Sequence, residues 1–596
     1  MKDEYVIKSG GNKFPASEYQ IEIFKTIKKG VNNLIINASA GSSKTSTIVN
    51  AIRFIPDKKR ILFVAFNKDI VEKIRSEAEH VNVKVCTFHS LGFSILLEYF
   101  SANTDNQVVL NEDLVNIDIY KYNNYLYNNI NNITRYLETK SLGKRKPLYL
   151  NNIKKLIDYC RYYLAFSLKE IARVGELYGV VPIRDEYEVV RQILLWGKSN
   201  TETIDYTDMI WLPNVLNLTT KTNLFDWIFI DEAQDTSIAE QGLVEKCFKR
   251  GAKFVAVGDD YQQINIWAGS TEEAIELFKK HPNTITLSLP ISYRCPKKVI
   301  ELAKQYSDNI VAYENAIDGE INYDVSIYDP KNNDMVLCRT TAPLVELHLN
   351  YLRCNKKSFI RGSENIKERF ETLINDSQCT LVDKNCVTSD GLIPKLYEQL
   401  FIKIDKLMAM GLNENDAVTH PSVLELYDDI EAICVLSEGI SNVDELLDKI
   451  NTIFMGDESD AIVLSTIHKA KGLEADNIYI YYPSLMPLKL AIKDWEIKTE
   501  NNLIYVAYTR AKKTLNFMKE NKYNGRMSGY FNIDKMKEQL NSIKEKIQYN
   551  RELGVTEKNY DSIPSKPTIK LGEKQTPITK PSKKMKGGLK MMNLLQ

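Results

Sequence analysis

Residues 227–235 read WIFIDEAQD, and this run constrains the fold of the chain more than any other. Four apolar residues, Trp227 to Ile230, make a short buried strand that delivers Asp231 and Glu232 to its carboxyl end. In an open α/β sheet, ligands bind at that edge. Two adjacent carboxylates there share the work of phosphoryl transfer. Asp231 holds Mg²⁺, directly or through water, while Glu232 polarises a water for attack on a phosphoryl group. Such chemistry requires a phosphate-binding loop upstream. The segment ASAGSSKT (38–45) lies between an apolar strand, NLIIN (33–37), and a helical stretch from about Lys44 to Ile55. Backbone N–H groups at the helix start cradle phosphate oxygens, Lys44 reaches the β/γ-phosphates and Thr45 ligates Mg²⁺. The regular G-x-x-x-x-G-K-[ST] pattern is broken, because Ala38 and Ser43 stand where glycines are usual; Gly41 remains. Alone, the loop also reads as a small-residue turn before a helix. WIFIDEAQD downstream favours the nucleotide site.

At 596 residues the chain is too long for one core. Short apolar runs at 61–66, 83–88, 227–230, 253–258 and 284–289 alternate with helical patterns such as 69–80 and 237–250. Strands alternating with helices predict a mostly parallel sheet. A second series starts after residue 290, with strands at 335–339, 357–362, 461–466, 477–482 and 514–518 and helices at 342–354 and around 501–510. The expected class is α/β, two parallel-sheet cores in tandem, each with a mainly helical insertion. The expected boundaries are 1–95 with 205–290 for the first core, and 96–204 for its insertion. The second core takes 291–362 with 455–545, and its insertion 363–454. A basic tail, 546–596, is expected to be disordered; from Pro564 it holds eight Lys against one acid, Glu573.

Lys+Arg and Asp+Glu balance at 78 each, so no global field draws the chain to nucleic acid. Such binding must come from local grooves and aromatic stacking. The Met1-Lys-Asp-Glu start lacks the apolar core of a signal peptide, and no long uncharged apolar run is present, so no membrane partner is expected. The nine cysteines form no C-x-x-C pair, which argues against a structural zinc site and for free thiols in a reducing compartment.

Nine segments, in order, carry a family resemblance: SEYQ (17–20), ASAGSSKT (38–45), AFNKD (65–69), TFHSLG (87–92), DEAQD (231–235), VGDDYQQINIWAG (257–269), SYRCP (292–296), STIHKAKGLE (465–474) and NNLIYVAYTRAKK (501–513). From residue 14 to 518 the chain resembles a superfamily 1 DNA helicase of the UvrD/Rep/PcrA type. AFNKD and TFHSLG are closer to the F-box DNA helicase branch. The resemblance implies two RecA-like cores, ATP and Mg²⁺ as cofactors, and ATP hydrolysis coupled to strand separation. It implies that Gln20 reads the adenine edge, Tyr293 stacks on the adenine face, and Ala40, Gly41, Ser42, Ser43, Lys44, Thr45 and Ser46 line the phosphates. Lys44, Glu232, Gln262, Arg294 and Arg510 would be catalytic, Gln262 as γ-phosphate sensor. Arg294 and Arg510 would reach the transferring phosphoryl group from the two sides of the cleft. Glu474 would hydrogen-bond the ribose, with Gly472 allowing close approach. Thr45 and Asp231 would hold the metal.

For the strand groove the candidates are Phe66 and Trp267 as stacking residues, with Thr87, His89, Thr466 and His468 near the backbone. Family members with this form of motifs V and VI move 3′→5′. Implied partners are single-stranded DNA and duplex junctions, with replication or recombination proteins meeting the tail. The expected location is cytoplasmic or nucleoid-associated, or the host cytoplasm if viral.

Competing readings stay open at several positions. Trp267 and Phe66 also suit a packed core, and His89 and His468 suit structural histidines. Asp205 and Asp208 in IDYTDMI resemble part of a nuclease motif, but no nuclease domain follows, so a structural role is expected. Ser43 brings a Cβ beside the catalytic lysine. Ser46 and Ala268 stand where arginines are common, removing an adenine contact and a DNA contact. The second insertion is shorter than its UvrD counterpart, so duplex contacts do not transfer. Two rival functions remain: an ATPase switch that remodels or loads partners on DNA without processive unwinding, and a P-loop NTPase unrelated to nucleic acid. RNA is not excluded as a substrate.

Overall fold

A computed structural model describes residues 5–9, 12–65, 68–77, 80, 82–103, 146–178, 184–199, 204–266, 269–271, 273–409, 412–491, 494–520 and 532–556. A hairpin opens the chain, β1 (Val6–Ser9) against β2 (Asn12–Pro15). The first core is a parallel sheet of β3 (Asn33–Ala38), β4 (Ile61–Ala65), β5 (Val83–Thr87), β6 (Phe225–Ile230), β7 (Phe248–Gly258) and β8 (Thr284–Leu289), in the order β5-β4-β6-β7-β3-β8. Its central strands are buried on both faces, which is why they read as unbroken apolar runs. The phosphate-loop strand β3 lies beside β7, and β7 beside the WIFI strand β6, so their carboxyl ends share one edge.

A short parallel pair, β9 (Ile291–Ser292) with β10 (Val311–Ala312), leads into the second core. That core holds β11 (Glu320–Val325), β12 (Met335–Cys338), β13 (Ser358–Ile360), β14 (Ile462–Thr466), β15 (Ala475–Ile480) and β16 (Ala511–Met518), in the order β11-β16-β15-β12-β14-β13. Two parallel-sheet α/β cores with helices are therefore present.

Some elements depart from the sequence expectation. The helix expected over 237–250 ends at Glu245, and Phe248–Arg250 instead opens β7, where Phe248 pairs with Phe225. β11 is an addition to the expected strands; EINYDV alternates polar and apolar residues, and at the sheet edge none of them is buried. The helix Phe88–Asn103 runs through the boundary expected at 95, and further helices Lys146–Tyr163, Leu168–Leu177 and Arg184–Ser199 follow. Five helices between Ser363 and Phe454 make the second insertion. The helix Ile533–Glu552 crosses the boundary expected at 545, and its Met536, Leu540 and Ile547 pack into the same apolar cluster as that insertion. The rest of the tail lies outside the described residues. Asp205 caps the helix Tyr206–Val215 in a capping box with Asp208, and both carboxylates bind the buried Arg161, which gives them a structural role.

Candidate active site

The loop from Ser39 to Ser43 turns the chain from β3 into the helix Lys44–Ala51. Gly41 has φ 70°, and a Cβ there would lie 2.6 Å from Arg294 Cβ and 2.7 Å from Ser292 Oγ. Only glycine fits. Ser43 takes φ 61°, ψ 39°, the left-handed conformation that glycine holds without strain, and it occupies the N-cap position with no side-chain capping bond. The Ser42 hydroxyl is buried without a hydrogen-bond partner, an orphan polar group of the kind a phosphate oxygen satisfies. Lys44 Nζ lies 3.3 Å from Glu232. Burial opposes its charge, but the carboxylates of Glu232, Asp259 and Asp231 outweigh that and hold its pKa above the ordinary value.

Thr45 Oγ1 donates to Asp231 Oδ2 at 2.6 Å, so both expected metal ligands meet at one point. Burial and the neighbouring Glu232 raise the Asp231 pKa. For Glu232, burial is overcome by Lys44 and Lys471, which hold it ionised. Glu232 sits at φ 51°, ψ 42°, another strained left-handed residue, and strain of this kind concentrates at functional sites. Gln234 Nε2 donates to Glu232 Oε2 at 2.6 Å, while Gln234 Oε1 accepts from the Asp259 N–H at 3.1 Å. The WIFIDEAQD turn is thereby pinned to the end of β7. Paired oxygen ligands, a buried lysine, a sterically required glycine and an orphan hydroxyl fit a Mg²⁺–nucleoside triphosphate.

The second core closes the site. Arg510 is fully buried; its Nη2 donates to Gln262 Oε1 at 3.4 Å, and its Nε to Val506 O at 2.9 Å. Burial and the nearby Arg294 lower its pKa to about 10, so it remains charged at neutral pH. Gln262 also donates through Nε2 to Asp259 Oδ2 at 2.5 Å. Arg510 belongs to the second core, and Arg294 to the crossover, its Cβ against Gly41 of the phosphate loop. Arg294 follows β9 on the crossover, and its guanidinium is held by second-core atoms, Glu474 at 2.5 Å and the Thr509 carbonyl at 3.3 Å. Both guanidinium groups thus lie among second-core atoms.

Gln20 is buried; its Oε1 accepts from the Ser17 N–H at 2.9 Å in a capping box, and its Nε2 donates to Thr47 Oγ1 at 2.9 Å. One amide N–H remains for a base edge. Tyr293 is 39% exposed, its ring 5.1 Å from that of Tyr313, and its N–H donates to the Gly41 carbonyl. Ser46 accepts from Asn50 Nδ2 through its carbonyl. Gly472 has φ 84° with open space around it, and Glu474 also pairs with Lys512 at 2.7 Å.

On the strand side, Thr87 ends β5 and Thr466 ends β14, at the carboxyl edges of the two sheets. His89 packs edge-on against Tyr206, ring centroids 6.1 Å apart, and burial lowers its pKa. Burial, with Arg339 and Lys471 nearby, lowers the His468 pKa to about 3 and keeps the ring neutral. Phe66, Trp267 and Ala268 lie outside the described residues.

Several residues in the cleft escaped sequence reasoning. Lys471 of the second core pairs with Asp235 and donates to the Gln262 carbonyl at 2.7 Å. The Tyr505 hydroxyl accepts from the Ala40 N–H at 3.0 Å and donates to Asp259 Oδ2 at 3.4 Å. Asn502 donates to two carbonyls of the 260–263 turn. All three lie within recognised segments, but their partners are more than 200 residues away, and no local pattern signals them.

Fold and site together define two tandem RecA-like cores with a phosphate-loop and carboxylate cluster where they meet. Two family models cover nearly the whole described chain: the UvrD/REP helicase N-terminal domain matches residues 20–283 and the UvrD-like helicase C-terminal domain residues 268–522. The chain belongs to the UvrD-like helicases, of superfamily 1. It is similar to a probable DNA helicase II homolog of Mycoplasma genitalium, 23% identical over 463 residues, covering 71% of this chain and 60% of that protein. It is also similar to an ATP-dependent DNA helicase Rep of Buchnera aphidicola, 24% identical over 325 residues, 50% of this chain and 45% of that protein. A third relative is the ATP-dependent DNA helicase PcrA of Bacillus subtilis, 23% identical over 308 residues, 48% of this chain and 39% of that protein. The chain spans less than two thirds of the length of these relatives. Among the described residues no helix is long and apolar enough to cross a membrane.

Proposed function

We propose that this chain is an ATP- and Mg²⁺-dependent DNA helicase or translocase that moves 3′→5′ along single-stranded DNA, in replication, recombination or repair. One observation carries the reading: Arg510 of the second core meets Gln262 of the first at 3.4 Å, beside Lys44 and Glu232. An ATPase site completed only across two sheets converts hydrolysis into relative motion of the cores.

ATP lies between the phosphate loop and the two arginines. Lys44 neutralises the β/γ-phosphates and the loop N–H groups orient them. Thr45 and Asp231 would hold Mg²⁺, which would supply neutralisation of phosphate charge. Glu232, kept ionised by Lys44 and Lys471, orients the attacking water and takes its proton. Arg294 and Arg510 stabilise charge on the transferring phosphoryl group, and Gln262 senses its departure. Tyr293 and Gln20 bind the adenine, and Glu474 the ribose, which requires its pairs with Arg294 and Lys512 to rearrange. Thr87, His89, Thr466 and His468 line the strand groove, with Phe66 and Trp267 supplying sequence-tolerant stacking. Residues 1–95 and 205–290, then 291–362 and 455–520, form the moving cores, and the helix Ile533–Glu552 travels with the second insertion.

Steady-state ATP hydrolysis with and without single-stranded DNA tests this reading. Strong stimulation by the strand is expected; turnover indifferent to nucleic acid would refute it and favour an unrelated NTPase.

A further inference from the structure

The nucleotide side and the strand side of the cleft are joined by one short turn, Asp260–Gln262, which follows β7. Gln262 faces the arginines. The next residue, Gln263, is buried, and its Nε2 donates to Gln234 O and Thr271 O, each at 2.7 Å. Those bonds tie the WIFIDEAQD turn to the far end of the segment that contains Trp267. A displacement of the 260–263 turn therefore reaches Gln262, the WIFIDEAQD turn and Thr271.

One second-core side chain grips this turn. Asn502, on the helix Asp494–Tyr508, is 4% exposed. Its Nδ2 donates to Asp260 O at 3.1 Å and to Gln263 O at 2.9 Å. Both amide hydrogens are thus used, one on each end of the turn. One helical turn further on, Tyr505 touches the Ala40 N–H of the phosphate loop and the carboxylate of Asp259. The same rigid helix therefore contacts the nucleotide loop and holds the strand-side turn.

We infer that Asn502 is a positioning residue that couples nucleotide turnover to strand binding, by locking the 260–263 turn to the second-core helix. Asn502 reaches no phosphate-binding or metal-binding atom, so its loss leaves the ATP site assembled. What disappears is the rigid link through which a bound strand sets the position of Gln262. The inference rests on the reading of the chain as a strand-stimulated ATPase.

The test compares ATP hydrolysis by the full chain and by Asn502→Leu, Asn502→Asp and Asn502→Gln, each with and without oligo(dT). Leucine is close in volume but donates nothing, and aspartate turns two carboxylate oxygens toward two carbonyls. For both, basal kcat and KM for ATP stay within about two-fold of the parent, while the stimulation ratio falls by about five-fold or more. Glutamine keeps the donors and recovers part of the ratio. Thermal unfolding identifies any variant that has lost its fold, and the others then decide. A stimulated parent with unchanged ratios in the folded leucine and aspartate variants overturns the inference alone. An unstimulated parent overturns the functional reading and this inference with it.

Discussion

Lys471 and Asp235 form an ion pair across the cleft, and breaking it tests whether the two cores act through one closed site. The side chains are 14% and 5% exposed, and Lys471 also donates to the Gln262 carbonyl. Lys471→Met keeps the stem and removes the charge. Deleting one partner of a buried pair costs about 3–5 kcal/mol, because the other charge is stranded. Asp235 escapes part of that cost by taking a proton, since burial already raises its pKa and Lys471 is its main opposing influence. The expected loss is therefore at the low end, about 3 kcal/mol, or roughly 150-fold. The partners belong to different cores, so the loss falls on closure rather than on the folding of either core. It should be read as kcat/KM for ATP in the presence of single-stranded DNA. Asp235→Asn leaves the Lys471 ammonium with the Gln262 carbonyl and the nearby Glu232 as partners, and costs roughly 1 kcal/mol. In the double variant the stranded charge is gone, so the double-mutant cycle gives a coupling of about 2 kcal/mol. Effects that add to within about 0.5 kcal/mol would refute the cross-cleft role.

Lys44→Ala and Glu232→Gln should each abolish ATP turnover while leaving the thermal midpoint near that of the parent; robust hydrolysis by both would remove the active-site assignment. Arg510→Lys keeps a charge but loses the planar fork that reaches Gln262, and single-turnover hydrolysis should slow by about 100-fold or more. Ser43→Gly relieves about 1–2 kcal/mol of left-handed strain against about 0.5–1 kcal/mol of added chain entropy, so urea denaturation should show unchanged to slightly higher stability. A clear loss would mean that the Ser43 side chain makes a stabilising contribution of its own. Burial raises the Glu240 pKa to about 7 from an ordinary 4.5. The folded chain then holds this proton more tightly than the unfolded one. The associated stability is complete below the lower value and is lost as pH rises toward about 7. Thermal midpoints across that window should fall with pH in the parent and more weakly in Glu240→Gln; identical slopes would exclude Glu240 as the cause.

The parallel cores were legible because strands covered on both faces must be apolar along their buried length, as in ILFVA (61–65) and WIFI (227–230). The phosphate loop and the Asp231–Glu232 pair were legible because their chemistry depends on short-range order at a strand end. Edge strand β11 lacks the unbroken apolar run that marks the buried strands: EINYDV alternates polar and apolar residues, and none of them is buried. Phe248–Arg250 carries helical spacing, yet pairing with Phe225 draws it into β7. The tertiary partners of the cleft were not legible at all. Lys471 with Asp235, Tyr505 with Ala40 and Asn502 with the 260–263 turn are each set by how two sheets face one another, which no local spacing encodes. The left-handed Ser43 and Glu232 belong with them, since neither residue type announces a positive φ.

On the proposed function, hydrolysis in the shared cleft drives the chain along one DNA strand in one direction. Strand separation of otherwise identical duplexes carrying a 3′ or a 5′ single-stranded tail, with ATP and Mg²⁺, tests it directly. Opening of the 3′-tailed duplex alone, lost without ATP and in Glu232→Gln, is the expected result. Opening of the 5′-tailed duplex alone would contradict the polarity. ATP hydrolysis stimulated by single-stranded DNA, with neither duplex opened and no movement along a bare strand, would contradict the motor itself.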